Sequence, residues 1–243
     1  MVESAFKPVF LVPYYNHPSH IAALVAALAT LAPVLIVDDG SDEESKTALR
    51  GLDAFIFTRE KNGGKGAALK DGFLRAEELG FTHAFQIDAD FQHDIGEVGA
   101  FLEAARANPG AFICGEPVYD GNAPKSRLYG RKITNFWCAI NSLSLAIKDG
   151  MCGFRVYPLA QVSNLISNLK EERMGFDAEI LVLAVRAGLK LKWLSVRVNY
   201  EIGGVSHFHL WRDNALISLM HARLCLGLPF WLLGRVFKVV RRG

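Results

Sequence analysis

Short apolar runs alternate with longer amphipathic stretches through the first half of the chain. Continuous apolar runs predict buried strands, and the Ala- and Leu-rich stretches between them predict helices. The predicted strands are residues 9–15, 34–37, 54–58, 83–88 and 112–114, and the predicted helices are residues 19–31, 67–79 and 97–107. Ser41 or Asp42 can cap a further short helix. This alternation indicates an α/β fold with a mostly parallel central sheet and helices on both faces.

The second half alternates less regularly. Helical patterns cover residues 127–147, 159–168 and 177–187, and strand patterns cover residues 152–157 and 191–200. No linker of biased composition divides the chain. We therefore expect one domain over residues 1–215, in two halves of about 1–117 and 118–215, followed by a helical tail over residues 216–243.

The tail combines apolar and basic residues. Residues 224–234 are eleven residues without a charge, bounded by Arg223 and Arg235 and interrupted by Pro229. Because a membrane span needs ~20 apolar residues, this run is too short to cross a bilayer. With Trp231 beside basic residues, it suits a helix lying in the membrane interface. A C-terminal helix packed on the core, with its basic residues in water, fits the pattern equally well.

Composition narrows the class of partner and the compartment. The 243 residues carry a net charge of +2, which gives no strong attraction to nucleic acid. The cysteines Cys114, Cys138, Cys152 and Cys225 have no paired spacing, which argues against a disulfide framework or a zinc site and fits a reducing compartment. No signal peptide is visible at the N-terminus. We expect a cytoplasmic protein, at the cytoplasmic face of a membrane if the tail binds one.

Two carboxylates follow the fourth predicted strand, in the stretch Gln-Ile-Asp-Ala-Asp-Phe-Gln at residues 86–92. If the strand continues to residue 88, Asp88 and Asp90 point the same way at its carboxyl end. Ligands collect at such strand ends in open α/β sheets, and paired carboxylates can hold one divalent cation. Taken alone, an Asp-x-Asp tripeptide such as residues 88–90 is more often a solvated turn.

Two further loops carry groups that suit a nucleotide. Asp38 and Asp39 end the second strand and could accept hydrogen bonds from ribose hydroxyls and a base N–H, although a capping turn is the commoner use of such a pair. The loop at residues 62–66, Asn-Gly-Gly-Lys-Gly, lacks the spacing of a P-loop and of a dinucleotide fingerprint. Lys65 still precedes a helix start, which suits an anion.

Charged residues of the second half are ambiguous by themselves. Arg155 could pair with a phosphate or with a carboxylate of the same site, and a structural pair with Asp149 fits as well. Asp177 and Glu179 lie in a first helical turn, where acids routinely interact with the helix dipole.

A basic loop contains His207, His209 and Arg212. These side chains could contact an anionic acceptor. A metal pair of the two histidines would lack a nearby third ligand.

The order of these motifs is more specific than any one of them. Pro-Tyr-Tyr-Asn, Asp-Asp-Gly-Ser, Asn-Gly-Gly-Lys-Gly, Asp-Ala-Asp-x-Gln, Asp-x-x-Cys-Gly-Phe-Arg and Phe-Asp-x-Glu-Ile follow one another over roughly residues 8–200. This set resembles family 2 glycosyltransferases of the GT-A fold, in the branch of dolichol- and polyprenyl-phosphate sugar synthases. Two departures concern the acceptor side: residues 94–97 replace the prolines usual in that branch, and Cys152 replaces a serine.

The resemblance implies roles at matching positions. It places Pro13, Tyr14, Asp38 and Asp39 at the base and ribose of the donor. Asp88 and Asp90 would hold Mg²⁺ or Mn²⁺ at the donor diphosphate, with Gln92 adjoining. Arg155 would lie near the phosphates or the acceptor, and Asp177 or Glu179 near the acceptor. To these the side-chain chemistry adds Lys65 for the nucleotide, and His207 and Arg212 for the acceptor. The resemblance also makes residues 1–117 the donor half and residues 118–215 the acceptor half. It implies a donor of UDP or GDP type and a lipid or polyprenyl phosphate as the acceptor.

The expected reaction is inverting transfer by one in-line displacement, with the metal neutralising the leaving diphosphate. A hydroxyl acceptor would need Asp177 or Glu179 as base, whereas an ionised lipid phosphate needs none. A nucleotidyltransferase would carry a glycine-rich, Arg-containing loop at residues 13–16, where this chain has Pro-Tyr-Tyr-Asn. The motifs are also compatible with a non-catalytic nucleotide-sugar-binding protein and with a transferase that acts on a soluble or saccharide hydroxyl.

Overall fold

The computed structural model describes residues 6–90, 92–119, 125–198 and 209–240. The strands are β1 (Pro8–Tyr14), β2 (Val34–Asp38), β3 (Phe55–Thr58), β4 (His83–Gln86), β5 (Phe112–Tyr119), β6 (Arg155–Pro158) and β7 (Leu191–Val198). The helices are α1 (Pro18–Ala29), α2 (Glu43–Ala48), α3 (Lys65–Glu78), α4 (Val98–Ala107), α5 (Lys125–Ser142), α6 (Leu159–Ile166), α7 (Phe176–Arg186), α8 (Leu210–Leu226) and α9 (Leu228–Val240), with a 3₁₀ turn at Ile95–Glu97.

The seven strands form one sheet in the order β3-β2-β1-β4-β6-β5-β7. Among these described strands, only β6 runs antiparallel to its neighbours, β4 and β5. Each face of the sheet has its own apolar layer. On one face the Phe73 ring of α3 packs edge-on against Tyr157, and on the other Phe101 of α4 packs edge-on against Phe154. The predicted α/β fold with a mostly parallel sheet and helices on both faces is confirmed.

The structure differs from the predicted elements mainly at their ends. Strand β4 ends at Gln86, so Asp88 and Asp90 lie in the turn after the strand rather than on it. Asp42 caps α2, accepting a hydrogen bond from the Ser45 backbone N–H (2.9 Å). Gly80, with φ of 80°, follows the end of α3. The last predicted strand residues, 199–200, lie outside the described residues.

Helices α8 and α9 follow one another across Gly227. The Gly227 N–H donates to Arg223 O (3.0 Å) and the Trp231 N–H to Gly227 O (3.1 Å), so the path is nearly continuous although Pro229 has no N–H to donate. Within the described residues, Trp211–Arg235 is long and apolar enough to cross a membrane by length and composition alone, as core helices of soluble proteins also are. The uncharged run judged too short to span is therefore part of a longer apolar helix. Helix α8 also runs through residue 216, where the sequence places the start of the tail.

Candidate active site

A cavity of about 420 Å³ opens at the carboxyl ends of β1, β2 and β4. It is lined by Pro13, Tyr14, Tyr15, His17, Asp39, Asn62, Gly64, Lys65, Ala68, Asp88, Ala89, Asp90, Gln92, Arg173, Met174, His209, Arg212 and Asp213. Eight of the predicted site residues are among them: Pro13, Tyr14, Asp39, Lys65, Asp88, Asp90, Gln92 and Arg212. Asp38, Arg155, Asp177 and Glu179 are described but are not in this lining. His207 lies outside the described residues.

The loops after β1 and β2 are bound to each other. Asn16, in the left-handed region with φ of 46°, donates its backbone N–H to Ser41 Oγ (3.0 Å) and accepts at Oδ1 from the Asp42 N–H (2.9 Å). The Tyr14 hydroxyl donates to Ser45 O (2.9 Å), and burial raises the pKa of this phenol. One wall of the cavity is therefore fixed by contacts between residues far apart in sequence.

Asp39 organises the glycine-rich loop. Its carboxylate accepts hydrogen bonds from the backbone N–H groups of Gly63 (2.9 Å) and Gly64 (2.7 Å), from Asn62 Nδ2 (2.9 Å), and from Arg59. Because an aspartate can accept several such bonds, the side chain is held rigidly at the edge of the cavity. Its first role is thus to shape the loop that carries Lys65.

The same loop packs against the segment that precedes α7. Gly64 has φ of 101°, and a Cβ there would lie 2.6 Å from Glu172 O, so only glycine fits. The Ala67 N–H donates to Glu172 O (2.9 Å). This contact joins the start of α3 to the segment that precedes α7 and brings Arg173 and Met174 into the cavity lining. Neither of these residues is predicted from the sequence.

Lys65 lies between two carboxylates. Its Nζ is 2.8 Å from Asp88 Oδ1, 3.0 Å from Asp88 Oδ2 and 2.9 Å from Asp177 Oδ2. Burial opposes the charged form, but the Asp177 and Asp88 carboxylates raise the pKa of Lys65 above its ordinary value. The other oxygen of Asp177 accepts from Gln86 Nε2 (3.0 Å). Asp177 therefore sits behind Lys65 with both oxygens engaged and holds the ammonium in place.

Asp88 and Asp90 are electrostatically unequal. Burial alone would raise the pKa of Asp88, but the Lys65 ammonium holds it below its ordinary value. Burial, and secondly the Asp88 carboxylate, raises the pKa of Asp90. A cation shared by both groups would relieve this repulsion.

The donor set fits Mg²⁺ or Mn²⁺. Asp88 and Asp90 offer carboxylate oxygen ligands, and Mg²⁺ is commonly held by one or two carboxylates together with substrate phosphates. Among the described residues, no group of three or more His, Cys, Asp and Glu side chains could hold a metal by itself. The two aspartates therefore suit a cation that arrives with a nucleotide diphosphate.

Gly153 lies directly against Asp88 and Lys65. A Cβ at this position would stand 2.5 Å from Asp88 Oδ2 and 2.8 Å from Lys65 Nζ. We expect Gly153→Ala to displace these groups and to weaken metal-dependent nucleotide binding at least tenfold, which is about 1.4 kcal/mol, because the displaced Asp88 oxygens would no longer be placed to share a cation with Asp90. Titration of UDP and GDP in the presence of Mn²⁺ measures the effect.

Gly99→Ala is the matched control for Gly153→Ala, since a Cβ there, within α4, meets nothing within 4 Å. It should bind nucleotide like the unaltered chain and be slightly more stable. Unchanged binding by Gly153→Ala would mean that the Asp88–Lys65 geometry is not what binds the donor.

Arg155 and Glu179 are buried next to the cavity and contact the segments that form its walls. Arg155 is fully buried and donates to Asp177 O (2.6 Å) and Asp149 O (3.2 Å). Glu179, 1% exposed, accepts from the backbone N–H groups of Lys170 and Glu171 and pairs with Arg223 of α8 (2.7 Å). Both therefore hold the segments that border the cavity, and neither the guanidinium nor the carboxylate lines it.

The cavity lining also contains several cationic side chains. Arg173 and Arg212 line it together with His209, whose backbone N–H donates to the buried Asp213 (2.7 Å). Guanidinium groups bind phosphate oxygens well. These side chains can receive an anionic group.

Comparison with known proteins identifies the family of this chain. The family description "Glycosyl transferase family 2" matches residues 9–157. A dolichyl-phosphate beta-glucosyltransferase (ALG5D) of Trichomonas vaginalis is 29% identical over 184 residues, which are 70% of this chain and 55% of that protein. The Homo sapiens dolichyl-phosphate beta-glucosyltransferase is 27% identical over 192 residues, 73% of this chain and 59% of that protein. The chain thus spans little more than half the length of these relatives.

A solved structure shares the fold. Glucosyl-3-phosphoglycerate synthase of Mycobacterium tuberculosis, in complex with Mn²⁺ and UDP-glucose, superposes with a TM-score of 0.72 over 91% of this chain and 79% of that chain, at 14% identity. This likeness supports the GT-A fold. Because residues 9–157 are more than half of the 243 residues, the chain belongs to glycosyl transferase family 2.

Proposed function

We propose that the chain is a metal-dependent, inverting glycosyltransferase that moves a sugar from a UDP- or GDP-type donor to a lipid-linked or polyprenyl-phosphate acceptor. The observation that carries this proposal is the convergence of Asp88, Asp90 and Lys65 in one cavity beside the Asp39 loop. The dolichyl-phosphate glucosyltransferase relatives support the acceptor class, and the Mn²⁺–UDP-glucose complex of the structural neighbour supports the donor and the metal.

The donor would lie along the carboxyl ends of β1, β2 and β4. The base would pack against Pro13 and Tyr14, and the ribose would lie near Asp39, with Asp38 beneath it. Asp88 and Asp90 would hold Mg²⁺ or Mn²⁺, which when bound supplies Lewis-acid stabilisation of the leaving diphosphate. Lys65, already charged and fixed by Asp88 and Asp177, adds a second cation near that diphosphate.

The state of the acid side chains favours a phosphate acceptor over a hydroxyl. Both Asp177 oxygens are engaged, by Lys65 and Gln86, and Glu179 is paired with Arg223. A hydroxyl acceptor would need a free base, whereas a phosphate monoester is already ionised near pH 7. Arg173, Gln92 and Arg212 line the cavity that the acceptor phosphate would enter. We further propose a cytoplasmic location at the membrane face, with peripheral contact through the tail.

A transfer assay with the full chain tests the proposal. UDP- and GDP-linked sugars, labelled in the sugar, are offered with Mn²⁺ to a short polyprenyl phosphate or to a free saccharide. We expect label in the lipid fraction, only with metal, and with the anomeric configuration inverted. Transfer to the saccharide alone would overturn the acceptor class, and nucleotide binding without transfer to either acceptor would indicate a non-catalytic protein.

A further inference from the structure

A buried amide, that of Gln86, connects the sheet to the site. Gln86 is the last residue of β4, and it lies opposite Arg155 of β6. In an antiparallel pair, side chains on one face also reach their diagonal neighbours, and the diagonal neighbour of Gln86 is Tyr157. Gln86, Arg155 and Tyr157 therefore share one face of the sheet, and all three are 0% exposed. Their polar atoms need partners inside the protein.

Packing fixes the direction of the Tyr157 hydroxyl. The Tyr157 ring packs edge-on against Phe73 of α3 and against Phe112 of β5, each with 5.1 Å between ring centroids. Burial raises the pKa of Tyr157, so the hydroxyl keeps its proton. It donates that proton to Gln86 Oε1 (3.0 Å). The amide oxygen of Gln86 is thereby engaged, which leaves the amide nitrogen for another partner.

That partner is Asp177, the carboxylate behind Lys65. Gln86 Nε2 donates to Asp177 Oδ1 (3.0 Å). An amide turned the other way would set its oxygen against the carboxylate, so one orientation alone satisfies both Tyr157 and Asp177. Lys65 Nζ then lies 2.9 Å from Asp177 Oδ2 and 2.8 Å from Asp88 Oδ1. A continuous buried chain of polar contacts therefore runs from Tyr157 to Asp88.

Asp177 has a second cation within reach. Arg155 Nη1 lies 3.7 Å from Asp177 Oδ1, the same oxygen that accepts from Gln86. Arg155 Nε is buried and has no hydrogen-bond partner among the described residues. A carboxylate released by Gln86 would therefore gain by turning toward the Arg155 guanidinium, and this turn would take it away from Lys65.

We propose that Gln86 is a positioning residue of the transfer site: held by Tyr157, it keeps the Asp177 carboxylate on Lys65 and so sets the place of the ammonium beside Asp88. Gln86 is among the described residues but outside the cavity lining, so it acts through Asp177. This inference rests on the proposed function, because the place of the ammonium matters for transfer only if a nucleotide diphosphate binds there.

Titration of the full chain with UDP and GDP, in Mn²⁺ and in EDTA, tests the role of Gln86. Because partners that orient the groups around a metal typically change affinity 10–100-fold, Gln86→Leu should weaken Mn²⁺-dependent binding about tenfold. Tyr157→Phe removes one hydroxyl and should cause a smaller loss. That loss should disappear in the Gln86→Leu background, since the hydroxyl acts through the amide. Losses that multiply in the double variant would overturn this chain of contacts.

Asn141→Leu is the matched control for Gln86→Leu. Asn141 is also a buried amide, 0% exposed, and its Nδ2 lies 3.1 Å from His221 Nδ1 of α8. This variant should lose stability but bind nucleotide like the unaltered chain. Equal losses of binding in Asn141→Leu and Gln86→Leu would overturn a specific role for Gln86. If Gln86→Leu does not fold, unchanged binding by Tyr157→Phe would overturn it alone.

A crystal structure of Gln86→Leu without nucleotide or metal separates this inference from the proposed function. We expect the Asp177 carboxylate to have turned from Lys65 toward Arg155. A carboxylate that still lies 2.9 Å from Lys65 Nζ, as in the unaltered chain, would overturn the inference whether or not the chain transfers sugar. A turned carboxylate in a chain that binds no nucleotide would support the orienting action of Gln86 and contradict the proposed function.

Discussion

Asp90→Asn should lower the rate of sugar transfer about 1,000-fold without unfolding the protein. A bound divalent metal stabilises transition-state charge by several kcal/mol, and about 4 kcal/mol corresponds to this factor in rate. Asp90 has a raised pKa because it is buried and faces Asp88, so a neutral amide of the same shape removes repulsion rather than a stabilising pair. Transfer rate and unfolding temperature, each with and without Mn²⁺, measure the two effects.

Asp94→Asn is the control for Asp90→Asn. Asp94 Oδ1 accepts from the Gly96 N–H (2.9 Å) at the start of the 3₁₀ turn, and asparagine serves as well as aspartate at such a cap. This variant should retain nearly full activity. Metal-stimulated transfer by Asp90→Asn within about tenfold of the unaltered chain would remove Asp90 from the metal site.

Among the variants described above and below, Arg155→Met should give the largest loss of stability, about 3–5 kcal/mol in the free energy of unfolding. The guanidinium is fully buried, donates to the backbone carbonyls of Asp177 and Asp149, and lies 3.7 Å from the Asp177 carboxylate. Its removal leaves those carbonyls without a donor and a buried carboxylate short of a cation. Urea unfolding followed by circular dichroism measures the change.

Arg75→Met provides the comparison for Arg155→Met. Arg75 forms a surface pair with Glu78 (2.7 Å) and is 46% exposed, so its loss should change the free energy of unfolding by less than ~1 kcal/mol. If Arg155→Met left stability intact but abolished transfer, Arg155 would contact the substrate directly, as the family resemblance implies. Destabilisation would instead assign it to holding the loops around Asp177 and Asp149.

The sequence predicts the centre of the sheet because strands such as β1 and β2 are buried on both faces and therefore read as continuous apolar runs, whereas the edge strands β3 and β7 are partly exposed. The same reasoning does not locate the end of β4. Ile87 continues the apolar run and is buried, yet pairing with β6 ends at Gln86, opposite Arg155. An apolar pattern reports burial, whereas a strand end depends on the length of its neighbours. The two aspartates still reach one cavity, from a turn.

The motifs identify several residues that line the cavity but not the direction in which each charged side chain points. Arg155 and Glu179 belong to the expected motifs, and packing turns both into the protein, toward backbone carbonyls and toward Arg223. Arg173 stands in a charged run that usually indicates a solvated loop. The close approach of Gly64 to Glu172 O brings its segment into the cavity, and this contact spans more than 100 residues.

Periodicity also leaves the orientation of α5 open. The sequence predicts a helical stretch over residues 127–147. The apolar residues of that stretch recur on more than one side of a helix. Only the packing against α7 and α8 shows that Cys138 faces the core and Ile133 faces outward. The exposed apolar face of α5 could therefore not be distinguished from a core face without the structure.

Thermal unfolding with UDP, GDP and their sugar conjugates, in Mn²⁺, Mg²⁺ or EDTA, tests the central claim most directly. A ligand that binds only the folded state at 100 times its Kd stabilises it by about 2.7 kcal/mol. We predict a rise in unfolding temperature with one nucleotide class, which EDTA abolishes and which Asp90→Asn lacks. No rise with any nucleotide, or a rise that neither EDTA nor Asp90→Asn reduces, would contradict a metal-dependent donor site at Asp88 and Asp90.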